Sequence, residues 1–307
     1  MEKILKNRFK LVRTIEYHLG TGSCSEVYLG KDLQTNSSVA IKIIQKYFDI
    51  FAETQTIAIS TEKKVLKICE SPHTNKLIDD FEDDQNYYLF FELCDGDLEA
   101  LLRKKGPFKV EDIRKIFIQL NQVFSIMNNN QIIHRDLKLA NVLYTYTNSQ
   151  QTDFDVELSD FGVSKILQEG VTRSFKGTIY SMAPEIIEGD DYTTKADLWS
   201  IGIMMYQLLL KKNPFPARNQ EELLKMIYTR RPAKDIKNFR LTDLVGKLLT
   251  PDPNKRISWE EYFKHPFFKV EKLVLEDKLI GQYLWTVVKL VNGNNECDKR
   301  INKKENS

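Results

Sequence analysis

The chain has 307 residues, of which 45 are basic and 43 acidic, which gives a formal net charge of +2. This length exceeds that of one small domain and suits two lobes with a cleft between them, while the balanced charge excludes the strongly basic surface expected of a nucleic-acid-binding protein and offers no attraction to an anionic membrane. The sequence has no apolar signal core, no apolar run of about 18 residues and no CxxC spacing among its four cysteines, so we expect no membrane insertion, a cytoplasmic location and free thiols.

The first predicted elements are two strands joined by a glycine-containing turn. Residues 9–19 alternate and contain β-branched and aromatic side chains, and a second strand runs to about Gly30. Between the strands, Gly20 and Gly22 permit a tight turn whose backbone N–H groups can approach phosphates. Taken alone, such a glycine hairpin is more often a simple turn than a phosphate site.

The next segments alternate between apolar strands and amphipathic helices. The strand Val39-Ala40-Ile41-Lys42 contains a lysine. A lysine in an apolar strand usually lies at the edge of the sheet and extends its side chain to water. Helical periodicity over residues 53–69 predicts one helix. An apolar strand and two further helices are predicted at 87–94, 97–104 and 110–130.

Two later polar loops carry the groups that phosphoryl transfer requires. Asp136, Lys138 and Asn141 follow a short apolar pair, and Asp160 follows an alternating strand at 154–158. Transfer of a phosphoryl group needs an aimed hydroxyl, a magnesium ion on the phosphates and compensation of the spread negative charge. Two carboxylates, a fixed cation and an amide oxygen are groups that can meet these needs.

Together these motifs resemble the eukaryotic protein kinases. The two loops have the sequences H-R-D-L-K-L-A-N (134–141) and D-F-G (160–162), and the earlier strand has V-A-I-K (39–42). The resemblance covers residues 9–268 and implies an α+β, bilobal protein-kinase fold. The small N-lobe would contain antiparallel strands plus one helix, and the larger C-lobe would be mainly helical. The implied boundaries are about 9–92 for the N-lobe and about 95–268 for the C-lobe, after an N-terminal extension at 1–8.

The resemblance implies that ATP and Mg2+ are the cofactors and that ATP binds in the cleft. Lys42 would hold the α- and β-phosphates and pair with a glutamate of the following helix. We choose Glu62 for this partner, because Glu53 lies too few residues beyond Lys42 to be in the middle of the helix. Ser25 stands where the third glycine of the kinase pattern is usual, so the loop over the phosphates should be stiffer. The implied ATP-binding positions besides Lys42 are Leu19, Gly20, Gly22, Ser25, Val27, Ala40, Phe91 (gatekeeper), Glu92 and Cys94 (hinge), and Leu143.

The same resemblance assigns the chemistry to a few residues. Asp136 would orient the substrate hydroxyl and accept its proton, and Lys138 would stabilise the transferring phosphoryl group. Asn141 and Asp160 would hold magnesium. Catalytically inactive kinase-fold scaffolds usually lack one of the residues equivalent to Lys42, Asp136 or Asp160, so this chain favours an active enzyme over a scaffold.

Residues 160–185 would form an activation segment that is regulated by phosphorylation. Ser174 is the predicted phosphosite, with Thr172 as the alternative, and Arg135 and Lys165 would bind its phosphate. The phosphate would come from the protein itself or from an upstream kinase. The competing interpretation is that Ser174 is an ordinary solvated serine.

Further residues are expected to select the substrate or to stabilise the large lobe. Thr178 together with Lys138 matches the serine/threonine branch of the kinases, so a protein serine or threonine would accept the phosphate. Asp197 should hold the backbone of the loop at 134–141, the predicted catalytic loop. Glu185 should form a buried ion pair with Arg256.

The remaining segments concern the subfamily and the C-terminal part of the chain. A polar insertion at 144–153 and the sequences at 195–202 and 259–268 look most like the Unc-51-like kinases, with calcium/calmodulin-type kinases as the second candidate. Residues 269–291 predict a C-terminal helical extension that either packs on the large lobe or docks a partner. Residues 292–307 predict a disordered tail.

Overall fold

The computed structural model describes residues 2–22, 25–47, 50–167 and 179–269. The strands of its small lobe are β1 (Glu2–Leu5), β2 (Phe9–Val12), β3 (His18–Thr21), β4 (Ser25–Asp32), β5 (Ser38–Gln45), β6 (Leu77–Glu82) and β7 (Asn86–Glu92). They form one antiparallel sheet in the order β1-β2-β4-β5-β7-β6, with β3 paired to β4. Helix α1 (Ala52–Ile68) lies between β5 and β6 in the chain.

Strand β5 shows how the sheet obtains two different faces. Ile41 and Ile43 are buried in a cluster that includes Phe90. Ala40 and Lys42 alternate with them and therefore point to the opposite face. That second face carries the lysine toward α1.

The N-terminal segment is part of this sheet. Lys6 and Asn7, with φ angles of 51° and 53°, form the turn between β1 and β2, and two left-handed residues are typical of a tight hairpin. The side chains of Lys3 and Lys6 contact carboxylates at β6, the strand at the other end of the sheet order. Their Nζ atoms lie 2.6 Å from carboxylate oxygens of Asp83 and Asp79, respectively.

The structure differs from the predicted first strand. Within residues 1–8, which we expected as an N-terminal extension, residues 2–5 pair with β2. The strand predicted over 9–19 is interrupted, because Ile15–Tyr17 form a 3-10 helical turn. The side chain of Ile15 is 90% exposed, so its apolar character does not reflect burial.

The large lobe is mainly helical. Its helices are α2 (Leu98–Lys105), α3 (Val110–Asn129), α4 (Pro184–Ile187), α5 (Lys195–Leu210), α6 (Gln220–Thr229), α7 (Phe239–Leu248) and α8 (Trp259–Phe263). Its short strands are β8 (Gly96–Asp97), β9 (Ile132–Ile133), β10 (Val142–Tyr146), β11 (Phe154–Leu158) and β12 (Lys165–Ile166). Helix α5 is buried on nearly every side, because its sequence is apolar around almost its whole circumference.

One continuous hydrophobic core joins the two lobes. Phe91 of β7 and Val65 of α1 belong to the same buried cluster as Phe117 of α3 and Trp199 of α5. A smaller cluster lies on the other face of the sheet. The elements that carry the motif residues of both lobes are therefore packed on shared apolar side chains.

The compact unit that contains these elements ends at Phe268. The predicted helical extension (269–291) and tail (292–307) lie, apart from Lys269, outside the described residues. Within the described part of the chain, no helix combines the length and the apolar character needed to cross a bilayer.

Candidate active site

The catalytic loop is attached to the large lobe through its backbone. It starts after β9, whose two residues are buried, and ends in a 3-10 helical turn at Leu139–Asn141. The backbone N–H groups of His134 and Arg135 donate to the two carboxylate oxygens of Asp197, at 2.8 and 3.1 Å. Desolvation raises the pKa of Asp197 to about 7, although these hydrogen bonds favour its ionised form. One buried carboxylate of α5 thus fixes the loop.

His134 is a buried, neutral support of the same loop. Its Nε2 lies 3.1 Å from the backbone carbonyl oxygen of Ser159, and its ring centroid lies 4.9 Å from that of Phe161. The backbone N–H of Asp136 donates to Nδ1 at 3.4 Å. These contacts require a proton on Nε2 and none on Nδ1, and burial lowers the pKa of His134, which favours that neutral form.

Lys138 and Asn141 both contact Asp136. Nζ of Lys138 lies 2.7 Å from Oδ2 of Asp136. Nδ2 of Asn141 donates to the same oxygen at 3.1 Å and to the backbone carbonyl of Asp136 at 2.9 Å. Asp136 is 8% exposed, so it retains access to solvent. A carboxylate oriented in this way can accept a proton from a hydroxyl that enters the cleft.

Lys42 joins the helix of the small lobe to the second loop. Its Nζ lies 2.7 Å from Oε1 of Glu62 on α1 and 3.0 Å from Oδ1 of Asp160. Glu62 is buried, whereas Glu53 lies in the first turn of α1, so the partner of Lys42 is Glu62. Desolvation opposes a charged ammonium here, but the two carboxylates outweigh it and raise the pKa of Lys42. Desolvation also opposes ionisation of Asp160, yet the charge of Lys42 lowers the pKa of that carboxyl.

The backbone of the second loop allows this close approach. Asp160 has a φ of 58°, a left-handed conformation that is strained for a residue with a side chain. Phe161 next to it is buried and anchors the loop. A Cβ atom on Gly162 would lie 3.2 Å from Oδ1 of Asp160 and 3.4 Å from Nζ of Lys42. Glycine at this position therefore leaves room for the ion pair.

The donor atoms of Asn141 and Asp160 fit a magnesium ion that is held largely by phosphates. The backbone N–H and the hydroxyl of Ser159 donate to the carbonyl of Asn141, at 2.9 and 3.0 Å, which keeps Asp160 next to Asn141. The amide nitrogen of Asn141 is directed at Asp136, so its amide oxygen is the atom left for a metal. Magnesium prefers oxygen ligands and commonly takes one or two from the protein and others from phosphates.

Most of the predicted ATP-binding residues lie on adjacent strands. In the antiparallel register, Val27 is opposite Lys42 and Ala40 is opposite Phe91. Leu143 belongs to the large lobe, on β10. The residues of the two lobes that we expect around the adenine ring are therefore placed by β-sheet register rather than by flexible loops.

The glycine turn is a hairpin between β3 and β4. Gly20 lies opposite Val27, and the backbone N–H of Gly22 donates to the carbonyl of Ser25 at 2.7 Å. A Cβ atom on Gly22 would lie 2.8 Å from Oγ of Ser25, so a larger residue would displace the serine. Leu19, at the start of the turn, is 50% exposed. Residues 23 and 24 lie outside the described residues.

The predicted hinge at Glu92 and Cys94 is contacted by Asn75, a residue that the sequence analysis missed. Its Nδ2 lies 3.2 Å from the backbone carbonyl oxygen of Glu92, 3.2 Å from Oε2 of Glu157 and 3.6 Å from Sγ of Cys94. Burial, together with the charge of Glu157, raises the pKa of Cys94 to about 12, which favours the protonated thiol over the nucleophilic thiolate. Asn75 lies in a polar stretch after α1, and only the folded chain brings it to the hinge.

Comparison with known proteins identifies the family. The sequence model of the protein kinase domain matches residues 13–268. The chain belongs to the protein kinase family. This match includes the catalytic loop, the D-F-G loop and Lys42.

Individual relatives of this kinase domain include two serine/threonine-protein kinases and a calcium-dependent protein kinase. It is 35% identical over 264 residues to serine/threonine-protein kinase unc-51 of Caenorhabditis elegans, covering 81% of this chain and 30% of the relative. It is 32% identical over 256 residues to serine/threonine-protein kinase ATG1c of Arabidopsis thaliana, covering 81% and 34%. It is 33% identical over 283 residues to calcium-dependent protein kinase 5 of Plasmodium falciparum, covering 87% and 48%. The chain thus spans half or less of the length of these relatives.

The activation segment of the kinase domain is described at its two ends. Strand β12 pairs with β9, which places Lys165 opposite Ile133, and the side chain of Lys165 is exposed. Nε of Arg135 donates to the backbone carbonyl of Val163 at 2.5 Å, so this arginine lies beside the start of the segment. The predicted phosphosites Ser174 and Thr172 and the substrate-selecting Thr178 lie outside the described residues.

At the end of the segment, Glu185 and Arg256 form a buried, two-point ion pair. Nη1 and Nη2 of Arg256 lie 2.6 and 2.8 Å from the two carboxylate oxygens of Glu185. The other N–H groups of the guanidinium donate to backbone carbonyls. The acceptors are Thr250, Lys195 and Pro251, at 3.0, 3.0 and 3.1 Å. All five donors of this arginine are satisfied inside the lobe.

Proposed function

We propose that this kinase domain transfers the γ-phosphate of Mg-ATP to serine and threonine hydroxyls of protein substrates. The observation that carries the proposal is the position of the Lys42 ammonium between Glu62 and Asp160. This one cation links the helix of the small lobe to the loop that would hold the metal. The groups for binding phosphates are therefore assembled in a single place, which is what transfer by positioning and charge stabilisation requires.

ATP would bind with its adenine ring between the two lobes. The backbone carbonyl of Glu92 and the backbone of Cys94 would hydrogen-bond to the ring edge, and Phe91 would close the back of the pocket. The apolar walls would come from Leu19, Val27, Ala40 and Leu143. Backbone N–H groups of the turn from Gly20 to Ser25 would cover the phosphates.

The phosphates would be held by charge. Lys42 would bind the α- and β-phosphates through Nζ, and Glu62 would keep the ammonium pointed into the cleft. Asn141 and Asp160 would hold Mg2+ through an amide oxygen and a carboxylate. The bound ion would neutralise negative charge on the phosphates.

Asp136 would act on the acceptor. Its carboxylate would orient the substrate hydroxyl and take its proton while the hydroxyl oxygen bonds to the γ-phosphorus and the bond to ADP breaks. Lys138, which already contacts Asp136, would stabilise the negative charge on the transferring group. Thr178 would select serine and threonine acceptors over tyrosine.

Regulation would act through the activation segment. Phosphate on Ser174, or on Thr172, would be bound by Arg135 and Lys165 and would order the segment. The modification would be made by the protein itself or by an upstream kinase. Such a switch suits a signalling enzyme of the cytoplasm.

The experiment is phosphate transfer by the purified protein. The parent protein is incubated with Mg-ATP and myelin basic protein, and the phosphosites of both proteins are mapped by mass spectrometry. We expect phosphoserine and phosphothreonine on the substrate and phosphate on Ser174 or Thr172. Treatment with candidate activating kinases is included, because a parent protein that requires Ser174 phosphorylation would otherwise be silent.

Asp136→Asn is the test variant and Asp84→Asn is its matched control, since Asp84 is an exposed carboxylate in the turn after β6. Asp136→Asn should lose transfer but keep the thermal stabilisation that ATP gives. Asp84→Asn should behave like the parent. Equal transfer by Asp136→Asn and the parent would refute the role of Asp136. Absence of transfer by the parent after every activating treatment would favour a kinase-fold scaffold.

A further inference from the structure

A groove lies on the large lobe, away from the residues of the catalytic cleft. It runs between the end of α2, the start of α3 and the β10–β11 hairpin, and its volume is about 200 Å3. Its apolar lining consists of Pro107, Phe108, Ile116 and Phe154. An apolar cavity of about 150 Å3 can take up benzene, so this groove has room for one leucine or phenylalanine side chain.

One wall of the groove is the polar insertion at 144–153, whose turn is held by its own hydrogen bonds. The backbone N–H of Thr147 donates to the carbonyl of Asp153 at 3.0 Å. The side chain of Asn148 bonds to both the hydroxyl and the backbone N–H of Thr152, at 2.8 and 3.0 Å. The insertion therefore forms a defined wall of the groove.

The opposite wall, at the end of α2, contacts the β10–β11 hairpin. Nζ of Lys105, the last residue of α2, donates to the carbonyl of Gln151 at 3.3 Å and lies 5.1 Å from the ring centroid of Tyr146. The rings of Phe108 and Phe154 meet edge to face with centroids 6.4 Å apart. The groove is thus pre-formed, and binding there would not have to order the walls first.

The lining of the groove carries a small excess of positive charge, and further basic residues lie beside it. Lys105, Lys109 and Lys115 line it, against the carboxylates of Asp112 and Asp153. Oδ1 of Asp153 lies 3.7 Å from Nζ of Lys115, so these two charges offset each other and Lys105 and Lys109 remain against Asp112. Further basic residues continue from this rim at the adjoining ends of α2 and α5, where Nζ of Lys211 donates to the carbonyl of Arg103 at 3.1 Å. These residues are Arg103, Lys104, Lys211 and Lys212, and all are exposed. Arg103 is partly offset by Glu99, whose Oε2 lies 3.4 Å from its Nη1.

We propose that this groove docks an acidic, extended segment of a partner protein. One apolar side chain of the segment would enter the groove against Phe108 and Phe154. Its flanking carboxylates would contact the lysines of the rim, among them Lys105 and Lys109. Charge complementarity selects this occupant, because a basic segment would be repelled and an uncharged one would gain only the apolar contact.

The probe is a fluorescein-labelled peptide of glutamates around one leucine, titrated with the full chain without nucleotide and followed by fluorescence anisotropy. We expect saturable binding that weakens as salt is raised. Replacing the central leucine by alanine should weaken binding, because the apolar contact is lost. Since no phosphoryl transfer is involved, the result does not depend on the proposed enzymatic function.

The test variant is the double substitution Lys105→Gln and Lys109→Gln, which should weaken binding about tenfold. The matched control is Lys31→Gln with Lys64→Gln, which removes two exposed lysines of the small lobe and should bind like the parent. Circular dichroism would check that all variants are folded. Either no binding of the probe by the parent or equal weakening by both double variants would overturn the proposal.

Discussion

The guanidinium of Arg8 donates to both carboxylate oxygens of Asp32, at 3.0 Å from Nε and 2.6 Å from Nη2. Asp32 is 2% exposed and also accepts a hydrogen bond from the backbone N–H of Gln34 at 2.9 Å. The hydrogen bonds from Arg8 hold the pKa of Asp32 well below its usual range, against the effect of desolvation. This pair connects the start of β2 to the end of β4.

The stability of the domain should therefore depend on pH through Asp32. A carboxylate with a lowered pKa stabilises the fold above its unfolded pKa of about 4, and this contribution is lost progressively as the pH falls from that value toward the lower pKa of the folded state. Asp32→Asn should reduce the free energy of unfolding at about pH 7, and its difference from the parent should shrink by about 1 kcal/mol at about pH 3. Urea unfolding at several pH values measures this difference. A difference that stays constant with pH would contradict the prediction, and Asp84→Asn serves as the control.

Lys42→Met should abolish most of the phosphoryl transfer. The variant loses the cation that would bind the phosphates, and we expect kcat/KM to fall by about a hundredfold or more. It also leaves the carboxylate of Glu62 buried without its partner, so the domain should become less stable. Initial-rate kinetics and thermal melts measure the two effects. Lys31→Met, a change on the exposed side of β4, should alter neither, and an active Lys42→Met protein would remove Lys42 from the mechanism.

The Glu185–Arg256 pair should behave as a coupled unit. Arg256→Met leaves a buried carboxylate without a counter-charge and should cost about 3–5 kcal/mol of stability, and Glu185→Leu should be similarly costly. The double variant should be much less destabilised than the sum of the two single variants, because neither charge is then left alone. Chemical denaturation of the four proteins gives the coupling energy. Additive effects would show that the two residues act independently.

Asn75→Ala should change ATP binding more than turnover. The substitution removes the contact that positions the carbonyl of Glu92, so the KM for ATP should rise several-fold while kcat changes little. A purely structural role would lower the amount of folded protein and leave the KM unchanged. Asn254→Ala, at an exposed position, is the matched control. Steady-state kinetics at saturating protein substrate separates KM from kcat.

Local sequence pattern was sufficient for the longer elements. The helices predicted at 53–69, 97–104 and 110–130 are found at Ala52–Ile68, Leu98–Lys105 and Val110–Asn129. Each has one buried face, so its apolar residues repeat at helical spacing. The apolar strand predicted at 87–94 is found at Asn86–Glu92, two residues shorter at its end.

Contacts between distant parts of the chain could not be predicted from local sequence pattern. Lys3 and Asp83 are 80 positions apart, and their ion pair leaves no local pattern in the sequence of β1. The contact between Lys42 and Asp160 spans 118 positions. The resemblance to kinases assigned both residues to the ATP site, but it did not predict their direct contact. Asn75 lies in a polar stretch without a motif, and its contacts form only in the folded chain. Neither the local sequence pattern nor the resemblance to kinases therefore indicated it.

The ion pairs of Lys3 and Lys6 have a consequence for the association of this protein with itself. Strands β1 and β6 end the sheet order, and an exposed outer strand offers unpaired N–H and C=O groups to any other extended chain. Here Lys3 of β1 and Lys6 of the following turn form ion pairs with Asp83, just after β6, and with Asp79 of β6. Both edge strands therefore carry charged side chains, which oppose pairing with another chain. High salt screens such exposed pairs. The two edge strands would then pair more readily with strands of other molecules, and the domain would become more prone to aggregate.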